Sequence, residues 1–224
     1  MLVLPPVPNL PLRPSGEEIT RLARRLPGLH GAAITLIKAR KVSPVAVCCM
    51  LRDEVGKIDL RGEGAEHYRR RFNGFYGVRR NAAWRDAFYT AFEENKAGAG
   101  STSDLFDTLL GAVSERTGRV EASFVSKAVS AVRSEGPIID SVIRLRLAAL
   151  MDAPAFGGGQ DQAMAYYRWL LAVFEALAET PEALEWGHVF DLTFADVPGA
   201  SALHIHRKLD FLIWGGRSVA LEQP

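Results

Sequence analysis

An all-α fold is what this sequence predicts, and three features predict it. Apolar residues recur every three or four positions, most clearly in "QAMAYYRWLLAVFEALAE", the spacing of an amphipathic helix. Helix boundary signals recur as well: Ser15 and Glu18 stand at capping-box spacing, and Gly118 follows an apolar helical run as a stop. Strand signals are few, one of them a short stretch around Lys57–Leu60, and at most one short β element is expected. The 224 residues, 48% apolar and 24% charged, suffice for a sizeable core and are expected to form a single helical domain over 1–224, with two lobes and a cleft as one arrangement.

The elements follow in order. Residues 1–14 form a proline-rich arm, "MLVLPPVPNLPLRP", apolar but without the basic leader of a signal peptide. "PSGEEITRLARRL" gives a first helix with Ile19, Leu22 and Leu26 on one stripe, and "PGLHGAAITLIKARKV" a second. "SPVAVCCML" is continuously apolar, and periodicity leaves it open between buried helix and strand. "RDEVGKIDLRGEG" reads as a loop. From Ala65 to Glu94 the pattern is helical with an interruption at "NGFYGVRRN", after which Trp84, Phe88, Ala91 and Phe92 share one face. Ser103 or Asp104 is expected to cap the next helix, which ends at Gly118. Three more segments, "RVEASFVSKAVSAVRS", "GPIIDSVIRLRL" and the long helix after "MDAPAFGGGQD", lead to "PEALEWGHVFDLTFADVPG" and a closing packing helix, "SALHIHRKLDFLIWGG".

Composition narrows the function. A net charge of +1 means that any nucleic-acid affinity must come from a local patch. No apolar run approaches the roughly 20 residues that span a bilayer, so no membrane partner is expected and the chain is read as cytoplasmic. Cys48 and Cys49 are adjacent in an apolar run and read as buried thiols. His204 and His206 stand at i, i+2, which on a helix points the rings apart, so no metal site is expected. No CxxC, HExxH, P-loop or nucleophile elbow is present, and no cofactor is expected. The glycines at Gly158–Gln160 read as a plain turn more readily than as a phosphate site.

Two constellations carry chemistry. Ser123, Ser126, Lys127, Ser130 and Ser134 lie close together on the helix after Val120, so Lys127 rises from small side chains that another backbone or a ligand can approach. After the Gly136–Pro137 turn, Asp140 stands where the next helix begins, as a capping residue would. Capping and catalysis are compatible, and a lysine and an aspartate on consecutive helices can converge on one cleft. The second constellation is "HYRRRFNGFYGVRRNAAWRDAF", where Arg69, Arg70, Arg71, Arg79 and Arg80 surround Phe75 and Tyr76, with Asn73–Gly74 read as a turn. Arginines interleaved with aromatics suit a surface that grips phosphates and stacks bases, and Phe75 or Tyr76 at a turn tip would serve as a wedge. The competing reading is a helical hairpin with solvated arginines.

The stretch "ASFVSKAVSAV…GPIIDSVIRLRL" resembles the segment of helix-hairpin-helix DNA glycosylases that bears a lysine on one helix and an aspartate at the start of the next. The resemblance covers roughly residues 120–150. It implies that Asp140 supports cleavage of the base–sugar bond and that Lys127 attacks the sugar C1′, giving a Schiff base in a bifunctional enzyme. The family's glycine-rich hairpin before the lysine is absent here, and the lysine-to-aspartate spacing is shorter than usual. The resemblance implies a DNA N-glycosylase acting on a damaged or modified base in duplex DNA. The alternative is a non-catalytic helical module that binds nucleic acid or protein.

Overall fold

The computed structural model describes residues 13–157 and 159–219, so residues 1–12 of the proline-rich arm, and Gly158 of the glycine-rich turn, lie outside it. Among the described residues all regular secondary structure is helical. The order is α1 (Gly16–Ala23), α2 (His30–Lys38), α3 (Pro44–Val55), α4 (Glu66–Tyr76), α5 (Ala82–Asn95), α6 (Thr102–Thr117), α7 (Ala122–Val132), α8 (Ser141–Ala148), α9 (Gln160–Ala178), α10 (Pro181–Thr193) and α11 (Ile205–Gly215). Three single-turn 3-10 helices complete it.

Local chemistry fixes most boundaries. Ser15 and Glu18 form the reciprocal capping box at α1. Gly77 and Gly118 end α4 and α6 in the left-handed conformation, with φ of 64° and 68°, which favours glycine. The ambiguous apolar run is helix: Ser43 caps α3, Pro44 opens it, and Cys48 and Cys49 are buried in it. The short strand expected around Lys57–Leu60 is absent. That segment is a turn whose Leu60 N–H donates to Glu93 at 2.8 Å, so its backbone is satisfied by a side chain instead of a ladder partner. The cap of α6 is Ser101, not Ser103 or Asp104; Asp104 takes the third position of the box and accepts from the Ser101 N–H. The interruption between α4 and α5 starts four residues later than "NGF" suggests. Asn73 and Gly74 are helical, and the chain turns only at Gly77.

One continuous apolar cluster runs from Ile19 on α1 to Ile213 on α11. Phe72 of α4 meets Phe88, Tyr89 and Phe92 of α5, and Trp84 stacks on Phe88 at 5.1 Å. Tyr167 of α9 stacks on Phe106 of α6 at 3.8 Å. α11 threads the centre. The Trp186 indole of α10 donates to its Lys208 carbonyl at 2.7 Å, and its Gly215 lies so close to α2 that a methyl there would meet Ala33 Cα at 2.9 Å.

The link between α7 and α8 determines the site. At Gly136 a Cβ would come within 3.1 Å of both the Arg133 carbonyl and the Tyr167 hydroxyl, so a side chain there would press the turn away from α9 by a few tenths of an ångström. Three residues on, the Ile139 N–H donates to the Ser126 hydroxyl at 2.9 Å, a buried hydrogen bond across thirteen residues. The residue before Asp140 is thereby tied to the residue before Lys127. Ser126→Ala would leave the Ile139 N–H without a partner in a dry interior, at a cost of about 1–3 kcal/mol. Urea unfolding should show a lower midpoint with an unchanged slope; a wild-type midpoint would contradict the role.

Candidate functional site

Lys127 and Asp140 line one cavity of about 120 Å³, far above the roughly 10–15 Å³ that admits a water by the same measure. Phe75 and Tyr76 from the last turn of α4 form one wall, and Pro44, Ile138, Ile143 and Phe211 supply apolar surface. Arg207, Asp210 and Trp214 of α11 complete the lining. Four of the sequence-predicted site residues therefore meet at one place.

Lys127 is 8% exposed. Its ammonium donates to Ser123 Oγ at 3.2 Å and lies 5.1 Å from the Phe124 ring and 5.8 Å from the Tyr76 ring. Burial holds its pKa below the ordinary lysine value, against the opposing pull of Asp140 and Asp210. A depressed lysine pKa raises the fraction of neutral amine, the form able to attack an electrophile. Asp140 is the N-cap of α8: one oxygen accepts from the Val142 N–H at 2.7 Å while the residue, half-buried, lines the cavity. Capping and facing the cavity are both true of it.

The α11 residues were not legible as site residues. "HRKLDFLIW" reads as a packing helix with basic groups free to reach a backbone phosphate, but every residue from His206 to Ile213 is buried. Arg207 pairs with Asp210 and donates to Ser130, and Lys208 pairs with Asp191 at 2.7 Å, so neither reaches outward. Burial pushes the Asp210 carboxyl up to about 7, opposed by Arg207 and Lys127 and reinforced by Asp140. Its second oxygen, Oδ1, is buried with no hydrogen-bond partner. The signal in the sequence was an arginine and an aspartate three residues apart in a run whose leucines, phenylalanine and isoleucine mark it as a packing helix.

The arginine–aromatic segment is divided. Phe75 and Tyr76 are not at a turn tip; they are half-buried in the last helical turn. Arg70 and Arg71 are exposed and border a recess beside the cavity. Arg69 instead donates to the Gly62 carbonyl at 3.3 Å and lies 5.8 Å from the Tyr89 ring. Arg79 and Arg80 border a different recess, with Arg116 and Arg119. There Arg80 pairs with Glu121 at 2.9 Å and lies over Trp84 and Phe124. The histidine rings also differ from expectation. His204 precedes α11 as its N-cap, so the rings of His204 and His206 approach to 4.5 Å. The His206 Nδ1–H donates to the Glu135 carbonyl at 2.7 Å, and no metal-binding group of three or more ligands occurs among the described residues. None of the described helices is long and apolar enough to cross a membrane.

Comparison with protein-family models, curated proteins and solved structures finds no significant match.

Asp210 gives the cavity a pH signature. A carboxyl whose folded pKa is raised holds its proton more tightly when folded, so its contribution is present below its ordinary value of 3.8 and lost as pH rises toward about 7. His206, lowered by burial to about 4, contributes the opposite slope up to its ordinary value of 6.5, and does so in any Asp210 variant as well. The stability of the wild type relative to Asp210→Asn should therefore fall as pH rises across that window. Urea midpoints measured for both proteins at each pH check this; a constant difference would contradict it.

Proposed function

We propose that the protein is a DNA N-glycosylase, which receives a damaged or modified base extruded from duplex DNA into the Lys127–Asp140 cavity and cleaves its bond to the sugar. The observation that carries the reading is the convergence on one aromatic-walled cavity of a buried lysine with a lowered pKa and a helix-cap carboxylate. Those two groups belong to the same segment that resembles helix-hairpin-helix DNA glycosylases.

The chemistry follows from the side chains. An extruded base leaves water and its stack, at a cost of a few kcal/mol, and Phe75, Tyr76 and Trp214 offer ring surface to receive it. The unpartnered oxygen of Asp210 offers a hydrogen-bonding group to the base edge. As the N-glycosidic bond breaks, its electron pair leaves with the base and positive charge develops on the sugar at C1′. The Asp140 carboxylate stabilises that charge as carboxylates do in sugar hydrolysis. C1′ is then taken by water or by the neutral Lys127 amine. Addition of the amine and loss of a proton, followed by opening of the sugar ring, gives the Schiff base of a bifunctional enzyme.

Incubation with a panel of DNAs carrying damaged or naturally modified bases, with mass spectrometry of the freed bases, tests the reading. Wild type should release at least one base. Asp140→Asn keeps a side-chain oxygen to cap α8 but loses the charge, so release should fall by about 10²–10³-fold, the scale of a lost electrostatic contribution, with DNA affinity retained. Release unaffected by Asp140→Asn would overturn the assignment of Asp140. A wild type that binds DNA and releases nothing would favour a binding module.

A further inference from the structure

A second recess, of about 380 Å³, lies beside the cavity, between the chain joining α2 to α3 and the outer face of α4. Pro44, Phe75 and Trp214 line both spaces, so whatever occupies the recess touches the wall of the cavity. Arg40 stands on one bank and Arg70 and Arg71 on the other, all three exposed. No carboxylate lines it. Among the described residues Arg40 and Arg71 make no ion pair, while Arg70 pairs with Glu66 at 2.8 Å. Two further recesses lined by arginines share no residue with the cavity. One, beside Arg69 and Arg85, includes Glu66 and Asp86. In the other, Arg80 and Arg116 are paired with Glu121 and Glu94, while Arg79 and Arg119 make no ion pair among the described residues.

Apolar and aromatic surface accompanies this charge. Val42 is 56% exposed at the rim. Two guanidiniums lie over the Trp214 ring, Arg40 at 5.7 Å and Arg217 at 4.2 Å from its centroid. Uncompensated arginines beside aromatic faces suit a nucleic-acid strand, whose phosphates take the charge and whose bases take the ring surface. An acidic peptide would use the guanidiniums and leave the rings unused.

We propose that this recess is the track for the DNA strand bearing the extruded nucleotide, with Arg40 and Arg71 gripping the phosphates that flank it and Trp214 marking the passage into the cavity. The proposal rests on the glycosylase reading for the occupant of the cavity. It assigns strand contact to Arg40 and Trp214, residues outside the arginine–aromatic segment, and gives the recess at Arg79 and Arg80 no part in holding that strand.

Fluorescence anisotropy with a labelled duplex containing one tetrahydrofuran abasic analogue, titrated at several KCl concentrations, tests it without knowledge of the base. Arg40→Ala and Arg71→Ala should each weaken binding severalfold and lower the slope of log affinity against log salt by about 1, the signature of one lost phosphate contact. Both residues are exposed, and unchanged circular dichroism would establish that the variants fold. Arg119→Ala, in the recess beside Arg79, should bind as wild type. Wild-type slopes in both groove variants, or an equal loss in Arg119→Ala, would overturn the track. So would polyglutamate binding in the groove as tightly as DNA, which would make the partner an acidic protein. Base release, scored separately on wild type, distinguishes the two readings. Groove-dependent binding without release upholds the track and overturns the glycosylase, and release with groove-independent binding does the reverse.

Discussion

The hydrogen bond from the Ile139 N–H to the Ser126 hydroxyl is the constraint on which the candidate site depends. α7 and α8 are separate helices joined by an irregular link, and nothing in helix geometry alone fixes where α8 begins relative to Lys127. The Ser126 hydroxyl supplies that information, because it is fully buried, donates to the Ser123 carbonyl and accepts from Ile139. Gly136 assists by letting the link pass close to Tyr167 and Val129. With residues 126 and 139 tied together, residues 127 and 140 follow them into the same cavity.

Around that pair the interior departs from simple burial of apolar surface. Lys127, Arg207 and Asp210 are all nearly buried, and taking charges out of water costs several kcal/mol per ion unless partners compensate. Arg207 is compensated by Asp210 and Ser130. Asp210 is compensated on one oxygen only, and Lys127 by one hydroxyl, two ring faces and the more distant charge of the two aspartates. Replacing such a cluster with well-packed apolar groups is often neutral or stabilising, so stability alone is a weak reason for it. Clustered groups with shifted pKa values in a cleft are the usual mark of a site that binds or reacts.

How much of this was legible depends on whether a property is local. The helical class, the capping box at Ser15, the stop at Gly118 and Asp140 as a cap rest on residues within one or two turns of each other, and the sequence displays them directly. The cavity wall from α11 is not local. Asp210 lies seventy residues from Asp140, and a charged pair inside a packing helix looks the same whether it is buried in a core or faces a cavity. The arginine run misled in the opposite way. Arg69 to Arg80 are contiguous in the chain, but α4 continues through Asn73 and Gly74, so helical rotation sends Arg69 toward Tyr89 and Arg71 toward the recess, and the turn at Gly77 carries Arg79 and Arg80 to another. Asn-Gly is a frequent turn signal; here it lies between Phe72, which packs on Phe88, Tyr89 and Phe92 of α5, and Tyr76, whose ring meets Phe72 one turn on, and the helix runs through it.

In the proposed function the Lys127 amine faces the sugar of a nucleotide held in the cavity, whether the amine or water takes C1′. The most direct test is to incubate the protein with a duplex containing a natural abasic site, reduce with borohydride, and map the trapped DNA adduct by peptide mass spectrometry. An abasic sugar presents an aldehyde at C1′, so the test is independent of which base is recognised. One adduct is expected, on Lys127, lost in Lys127→Ala. An adduct on another lysine, or none while the protein binds the same DNA, would contradict it.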